Sequence, residues 1–211
     1  MDYRMPRRSL EPLDTQWKGK LYAFVEYSMD RVQEVWRWDD PAHAATMAAD
    51  LTPQQLAVWA ILNADGQVCN GGFSQFFYNS YGELAEEALQ GFHLLGMQEC
   101  AAIFEQAYAA FAQRPIPKDR EQRILMLEQL GEDEDSDAGA SGTAANNAAA
   151  MLAHYSALAK GTEELWGELE SRYYGFIHRT GVRGGYNAAF FSPLATYIDA
   201  HPDAFFLPEA G

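Results

Sequence analysis

The sequence contains little cysteine, few basic residues and no long apolar run. Only Cys69 and Cys100 occur among 211 residues, too few for a disulfide framework and without the spacing of a metal site, so we expect free thiols. No run approaches the roughly 18 apolar residues of a membrane span, and no apolar stretch follows the basic residues near the start. These absences favour a soluble, cytoplasmic protein.

Motifs for catalysis and metal binding are also missing. The chain has no G-x-S-x-G, P-loop or Rossmann fingerprint, and its histidines occur singly. Asp133, Asp135 and Asp137 repeat like the opening of an EF-hand loop, but the glycine falls one position late, at Gly139. The twelfth position, where a glutamate is required, is Ala144. We therefore predict no enzyme activity, no metal and no cofactor.

Charge is the strongest global signal. The chain has 30 acidic and 15 basic residues, a net charge of −15. Residues 38–159 hold 17 Asp/Glu and four Lys/Arg, a balance of −13, and no Lys or Arg occurs from Trp38 to Gln113. Such a field repels nucleic acid and anionic membranes and attracts cations or basic proteins. The alternative is that the charge only keeps the protein soluble.

Apolar residues recur at helical spacing and show no sustained alternation, which predicts a mainly α protein. We expect a flexible N-terminal arm over 1–13 and a single compact multi-helix domain over 14–211, with antiparallel helix pairs. An acidic flexible loop is predicted near 131–142. The predicted helices cover 14–38, 52–63, 83–95, 98–111, 119–130, 143–158, 162–180 and 192–200, and a short alanine-rich turn or helix is predicted over 42–49.

The stretch 63–82 organises the rest of the chain. A polar turn from Asn63 is predicted to feed an apolar helical face, and Asn70, Gly71 and Gly72 tolerate cramped backbone. The aromatic residues Phe73, Phe76 and Phe77 follow at i, i+3 and i+4. We interpret this stretch as a structural corner, with a small-ligand or enzyme site there as an alternative. Another alternative is an anion-binding loop over 179–187.

The acidic residues between 83 and 137 are the candidate partner-binding surface. Glu83, Glu86 and Glu87 share the first turn of a predicted helix and are expected to project side by side. The full predicted set is Glu83, Glu86, Glu87, Glu99, Glu105, Glu132, Asp133, Glu134, Asp135 and Asp137. An alternative interaction module uses the aromatic surface near Trp36 and Trp38.

The stretch Asn70-Gly71-Gly72-Phe73-x-Gln75-Phe76-Phe77-x-Asn79, with the alanine-rich helix pair after it, resembles the bacterial DNA-mimic-protein-like domain family. The likeness extends over roughly residues 50–207. It implies an all-α fold and, from the family's namesake, a homodimer in transcription regulation. The namesake's acidic surface stands in for duplex DNA on a transcription factor. The resemblance implies that the partner here is a basic, DNA-binding protein and that the motif residues have a structural role.

Overall fold

The computed structural model describes residues 2–5, 24–111, 114–131, 148–179 and 187–208. It confirms a mainly α fold. A π-helical segment, Val25–Met29, leads into the first α-helix, and a 3₁₀ segment, Ser80–Leu84, precedes the fourth. The α-helices are α1 (Asp30–Val35), α2 (Pro41–Asp50), α3 (Pro53–Tyr78), α4 (Ala85–Leu94), α5 (Gln98–Tyr108), α6 (Arg120–Gly131), α7 (Ala148–Gly161), α8 (Glu163–Ile177), α9 (Ala188–Ala200) and α10 (Pro202–Phe205).

Helix α3 begins at the predicted capping box. The Gln55 backbone N–H donates to the Thr52 hydroxyl (3.1 Å), and the Thr52 N–H donates to the Gln55 side chain (3.0 Å). Pro53 occupies the first helical position, where its missing N–H costs nothing. These reciprocal bonds satisfy donors that would otherwise lack a partner at the helix start.

The predicted end of this helix near Asn63 is wrong. Helix α3 continues to Tyr78, so the expected polar turn is itself helical. Asn63 stays within the helix and donates to the Trp59 carbonyl (2.9 Å), while Ala64 is fully buried. Gly66 does not adopt a left-handed conformation there. Packing of this segment against the rest of the core overrides the local stop signal.

Several other helix boundaries follow the sequence signals. Helices α4 and α5 pack together and join at Gly96, whose φ of 69° is left-handed, as the predicted helix pair requires. Asp119 accepts from the Gln122 N–H (2.9 Å) and caps α6. Helix α9, in contrast, starts at Ala188 and contains Pro193, four residues earlier than predicted.

Helix α3 lies at the centre of the molecule and contacts α4, α6, α7, α8 and α10. Its aromatic residues form the middle of the core with rings from α5 and α8: Phe73 packs edge-on against Phe104 at 5.1 Å, and Phe77 lies 5.4 Å from Trp166. Each of these four rings is at most 1 % exposed. The three motif phenylalanines therefore do what their spacing predicts, since Phe76 is equally buried.

Residues 2–5 are packed, which corrects the expected flexible arm for these positions. Tyr3 and Met5 are buried, and the Met5 N–H donates to the Phe205 carbonyl (2.7 Å). Met5 and Phe206 form an isolated parallel bridge. Residues 6–13, the first half of the predicted helix over 14–38 and the acidic loop from 132 to 142 lie outside the described residues.

Candidate protein-binding surface

The Gly71–Gly72 pair breaks α3 into two helical halves. Gly72 has a φ of 76° and a ψ of −173°, a conformation that disfavours every side chain. A Cβ on Gly72 would fall on the carboxylate of Glu170 from α8, and one on Gly71 would meet the Tyr155 hydroxyl at 2.8 Å. Two separate constraints, backbone conformation and close packing, therefore require glycine at this kink.

Side chains from distant helices satisfy the backbone groups that the kink leaves free. The Phe73 N–H, at the start of the second half of α3, donates to Glu170 Oε1 (2.8 Å). The Tyr155 hydroxyl from α7 donates to the Gly71 carbonyl (2.7 Å). Glu170 thus caps a helix that belongs to another part of the chain, and its negative charge suits the helix N-terminus.

The polar residues of the motif bind each other across the kink. Asn70 donates to Gln75 Oε1 (3.2 Å), and Gln75 in turn donates to Gln67 Oε1 (3.2 Å). Asn79 donates to the same oxygen of Gln67 (2.7 Å). The amides are therefore occupied in joining the two helical halves, which favours the structural interpretation of this corner over the ligand-site alternative.

Glu83 does not lie on the acidic surface where the sequence analysis placed it. It is 2 % exposed, and its carboxylate accepts a short hydrogen bond from the Trp36 indole N–H. Burial raises the pKa of Glu83, while the Trp36 bond and the charge of Arg123 oppose that rise. The expectation of an exposed Glu83 is wrong because Glu83 lies in the 3₁₀ segment, from which its side chain points inward to Trp36.

Glu86 and Glu87 are half-buried and neutralised, so the predicted uncompensated array does not form. The Glu86 carboxylate accepts hydrogen bonds from Arg114 Nε (3.0 Å) and Nη2 (2.9 Å) and from the Ile116 backbone N–H. Glu87 receives Lys118 Nζ at 2.5 Å. The cations come from residues about thirty positions later in the chain. These carboxylates hold the segment 114–118 against α4.

The remaining predicted carboxylates differ in their surroundings. Glu99 pairs with Arg179 (2.8 Å) and Glu105 with His93 (2.9 Å), and all four side chains are about half-exposed. Exposed pairs of this kind contribute only about 0–1 kcal/mol, so a partner's cation can replace them. The positions Glu132, Asp133, Glu134, Asp135 and Asp137 lie outside the described residues.

All four cations of residues 38–159 are bound within the fold. Arg114 and Lys118 pair with α4, as described above, and Arg120 donates to the Tyr78 carbonyl (2.8 Å) while lying over that ring. Arg123 is fully buried and donates only to backbone carbonyls. No basic side chain of this region is left to offset its other carboxylates.

One family model matches most of the chain. The family model described as DMP19-like protein matches residues 49–201, from the end of α2 through α9. The chain belongs to the DMP19-like protein family. The match includes the whole kinked α3, the ion-paired α4 and Glu170 of α8. No curated protein and no solved structure matched the chain.

The protein also has a half-buried acid that the sequence analysis missed. Asp65 on α3 accepts from the Tyr173 hydroxyl (3.1 Å) and from the Cys69 thiol (3.4 Å). Burial raises the pKa of Asp65 to about 6, and the hydrogen bonds from Cys69 and Tyr173 oppose that rise. Asp65 and Cys69 are four residues apart. Had a continuous helix through Gly66 been predicted, the two residues would have been placed on the same helical face.

Asp65 makes folding stability depend on pH. The pKa of Asp65 is higher in the folded protein than in the unfolded chain. Its contribution to the free energy of unfolding is therefore fully present below about pH 4 and is lost as pH rises through 6. Ionisation costs about 2–3 kcal/mol. In Asp65→Asn, the free energy of unfolding measured in urea should fall less between pH 4 and pH 7 than in the wild-type protein. A smaller fall should remain, because the pKa of Glu83 is also raised. An unchanged profile would contradict this assignment.

The two thiols are free, as predicted, with Cys100 buried and Cys69 half-buried. Burial raises the pKa of Cys69 to about 12, which makes it a poor nucleophile. Within the described parts of the chain, no group of three His, Cys, Asp or Glu residues could hold a metal ion. No helix in these parts combines the length and apolar character that crossing a membrane requires.

Proposed function

We propose that this chain binds a basic, DNA-binding protein by presenting carboxylates in place of the phosphates of duplex DNA. The observation that carries the proposal is the internal use of all four cations in residues 38–159. Membership of the DMP19-like family supports it. The proposed partner is a transcription regulator and the proposed assembly is a homodimer, as the resemblance to DNA-mimic proteins implies. The proposed non-enzymatic role in the cytoplasm follows instead from the sequence, which has no catalytic motif and no long apolar run.

The internal ion pairs change which carboxylates remain available to a partner, but they do not change the net charge. Of the 17 acids in residues 38–159, Glu86, Glu87 and Glu99 pair with Arg or Lys side chains of the fold and Glu83 is buried near Arg123, which leaves 13 others. Five of these lie within the six positions from Glu132 to Asp137. That run is the densest anionic segment of the chain, and it directly follows α6. We place the main contact with the partner there, with Glu99 and Glu105 as secondary contacts.

Competition with DNA tests this proposal directly. A DNA-binding protein captured by the immobilised chain should be released by duplex DNA, since both ligands need the same basic face. Capture should weaken between low and moderate salt because exposed charges are screened within about 8 Å at physiological ionic strength. Recovery of no DNA-binding protein at either salt concentration, or capture that duplex DNA leaves intact, would contradict the proposal.

A matched pair of charge variants locates the surface. Neutralising Asp133, Asp135 and Asp137 to Asn should weaken binding of the captured protein by about tenfold, at roughly 0.5 kcal/mol per charge. The control neutralises three exposed glutamates of α8 instead, Glu163, Glu164 and Glu168 to Gln, and changes net charge equally. Titration calorimetry should show a smaller loss for the control. Equal losses would mean that overall charge, rather than the acidic run, attracts the partner.

A further inference from the structure

One partly exposed aromatic pair lies beside a fixed carboxylate. Trp38 and Tyr81 have ring centroids 4.4 Å apart, and the Trp38 ring is supported from within by Trp36 at 5.6 Å and Trp59 at 5.9 Å. Trp36 and Trp59 are buried, so they hold the Trp38 ring in place while part of it stays open to solvent. The Gln33 amide donates to the Tyr81 hydroxyl (3.1 Å) and fixes the second ring.

Asp39 places a negative charge next to both rings. It follows Trp38 directly, and its carboxylate accepts from the hydroxyl of Ser80, the neighbour of Tyr81, at 2.8 Å. The backbone of Asp39 has a φ of 64°, a left-handed conformation that Asp and Asn tolerate better than other side chains. Asp39 itself is exposed and forms no ion pair among the described residues. We name Trp38, Asp39, Ser80 and Tyr81 the Trp38 corner.

Other aromatic rings of the protein already carry one of its own guanidinium groups. Arg120 lies 4.7 Å from the Tyr78 ring centre, Arg114 lies 5.2 Å from that of Tyr108, and Arg31 lies 5.2 Å from that of Tyr27. Across the described ranges, no such cation covers Trp38 or Tyr81. Trp is the side chain whose ring attracts cations most strongly, and a guanidinium stacks on it while pairing with a carboxylate.

We propose that the Trp38 corner receives an arginine side chain of the basic partner. The guanidinium stacks on the open part of the Trp38 ring and donates to the Asp39 carboxylate, which needs no rearrangement because Ser80 already holds it. This inference rests on the proposed function for the basic character of the partner. It adds a discriminating contact to the long-range attraction of the acidic run: a site that prefers arginine over lysine.

Two short peptides probe the site without knowledge of the partner. Nona-arginine and nona-lysine carry the same charge, so the acidic field attracts both, and only arginine can stack and pair at the corner. At one ionic strength, nona-arginine should bind the wild-type protein several-fold more tightly, and the indole NMR signal of Trp38 should shift more with it. Equal affinities for the two peptides would overturn the proposal.

Variants separate the corner from the general field. Asp39→Asn keeps an acceptor for Ser80 and tolerates the left-handed backbone, and Glu34→Gln removes one exposed charge from α1 as the matched control. Asp39→Asn should lower the preference for arginine about fivefold, at roughly 1 kcal/mol for one charge-assisted bond, whereas Glu34→Gln should leave the preference intact. Trp38→Leu should abolish it, and if that variant unfolds, Trp38→Phe should retain only part of it.

The outcomes also separate this inference from the proposed function. An arginine preference that survives in both Asp39→Asn and the Trp38 variants would overturn the corner and leave the acidic display standing. Conversely, a corner that selects arginine, in a chain that captures no DNA-displaceable protein, would retain the site and refute DNA mimicry.

Discussion

Replacing Arg123 by Met is expected to destabilise the protein by about 3–5 kcal/mol, the usual loss when one partner of a buried charge network is removed. Arg123 is fully buried, and burial lowers its pKa to about 10, so it remains charged at neutral pH. Its guanidinium donates to the backbone carbonyls of Phe77, Pro117, Lys118, Asn79 and Ser80. Without it these acceptors lose their donor, and buried Glu83 loses a nearby positive charge.

Denaturant unfolding of Arg123→Met measures this effect against Arg120→Met as the control. Arg120 lies on the same helix but is half-buried, and it makes one carbonyl bond and one ring contact. Its loss should cost about 1 kcal/mol. Equal losses of unfolding free energy in the two variants would show that the hydrogen bonds of Arg123 to the surrounding backbone carbonyls do not stabilise the fold beyond an ordinary surface contact. Arg123→Lys should rescue only part of the stability, because an ammonium has three donors and no planar fork.

Gly72→Ala is expected to be the second severe variant, with a loss of about 3 kcal/mol. A backbone with a φ of 76° and a ψ of −173° costs a residue with a Cβ about 1–3 kcal/mol, and displacing Glu170 from the Phe73 N–H adds about 1–3 kcal/mol for an unsatisfied donor. The new methyl group would occupy the position of the Glu170 carboxylate. The motif glycine is therefore required by a contact with α8, about a hundred residues later in the chain.

Gly66→Ala provides the opposite control within the same helix. Gly66 is exposed, and no atom lies within 4 Å of a Cβ placed there. Because it sits in a continuous helix, alanine should stabilise the protein by about 0.5–1 kcal/mol. Thermal unfolding of the two variants should therefore move in opposite directions. A destabilised Gly66→Ala would mean that α3 ends near residue 63, as the local sequence signal suggests.

The acidic surface could be predicted only in part because local sequence does not show ion pairing between distant segments. Glu86 and Glu87 stand in a stretch without any Lys or Arg, yet their cations arrive from residues 114 and 118. Glu83 sits beside them in sequence, but the 3₁₀ segment directs it inward to Trp36. Asp65 was missed for a related reason, since the glycine after it falsely signalled a helix end and concealed its helical face.

The sequence by itself determined the helical class, the capping of α3 at Thr52, the burial of the three motif phenylalanines and the net charge of −15. Apolar spacing and caps act over a few residues, and net charge is a sum that no conformation alters. Tertiary structure alone decided which carboxylates are neutralised, why Gly72 must be glycine and how Trp38 and Asp39 meet Tyr81 and Ser80. Those properties depend on contacts between segments far apart in the chain, and only the packed helices bring them together.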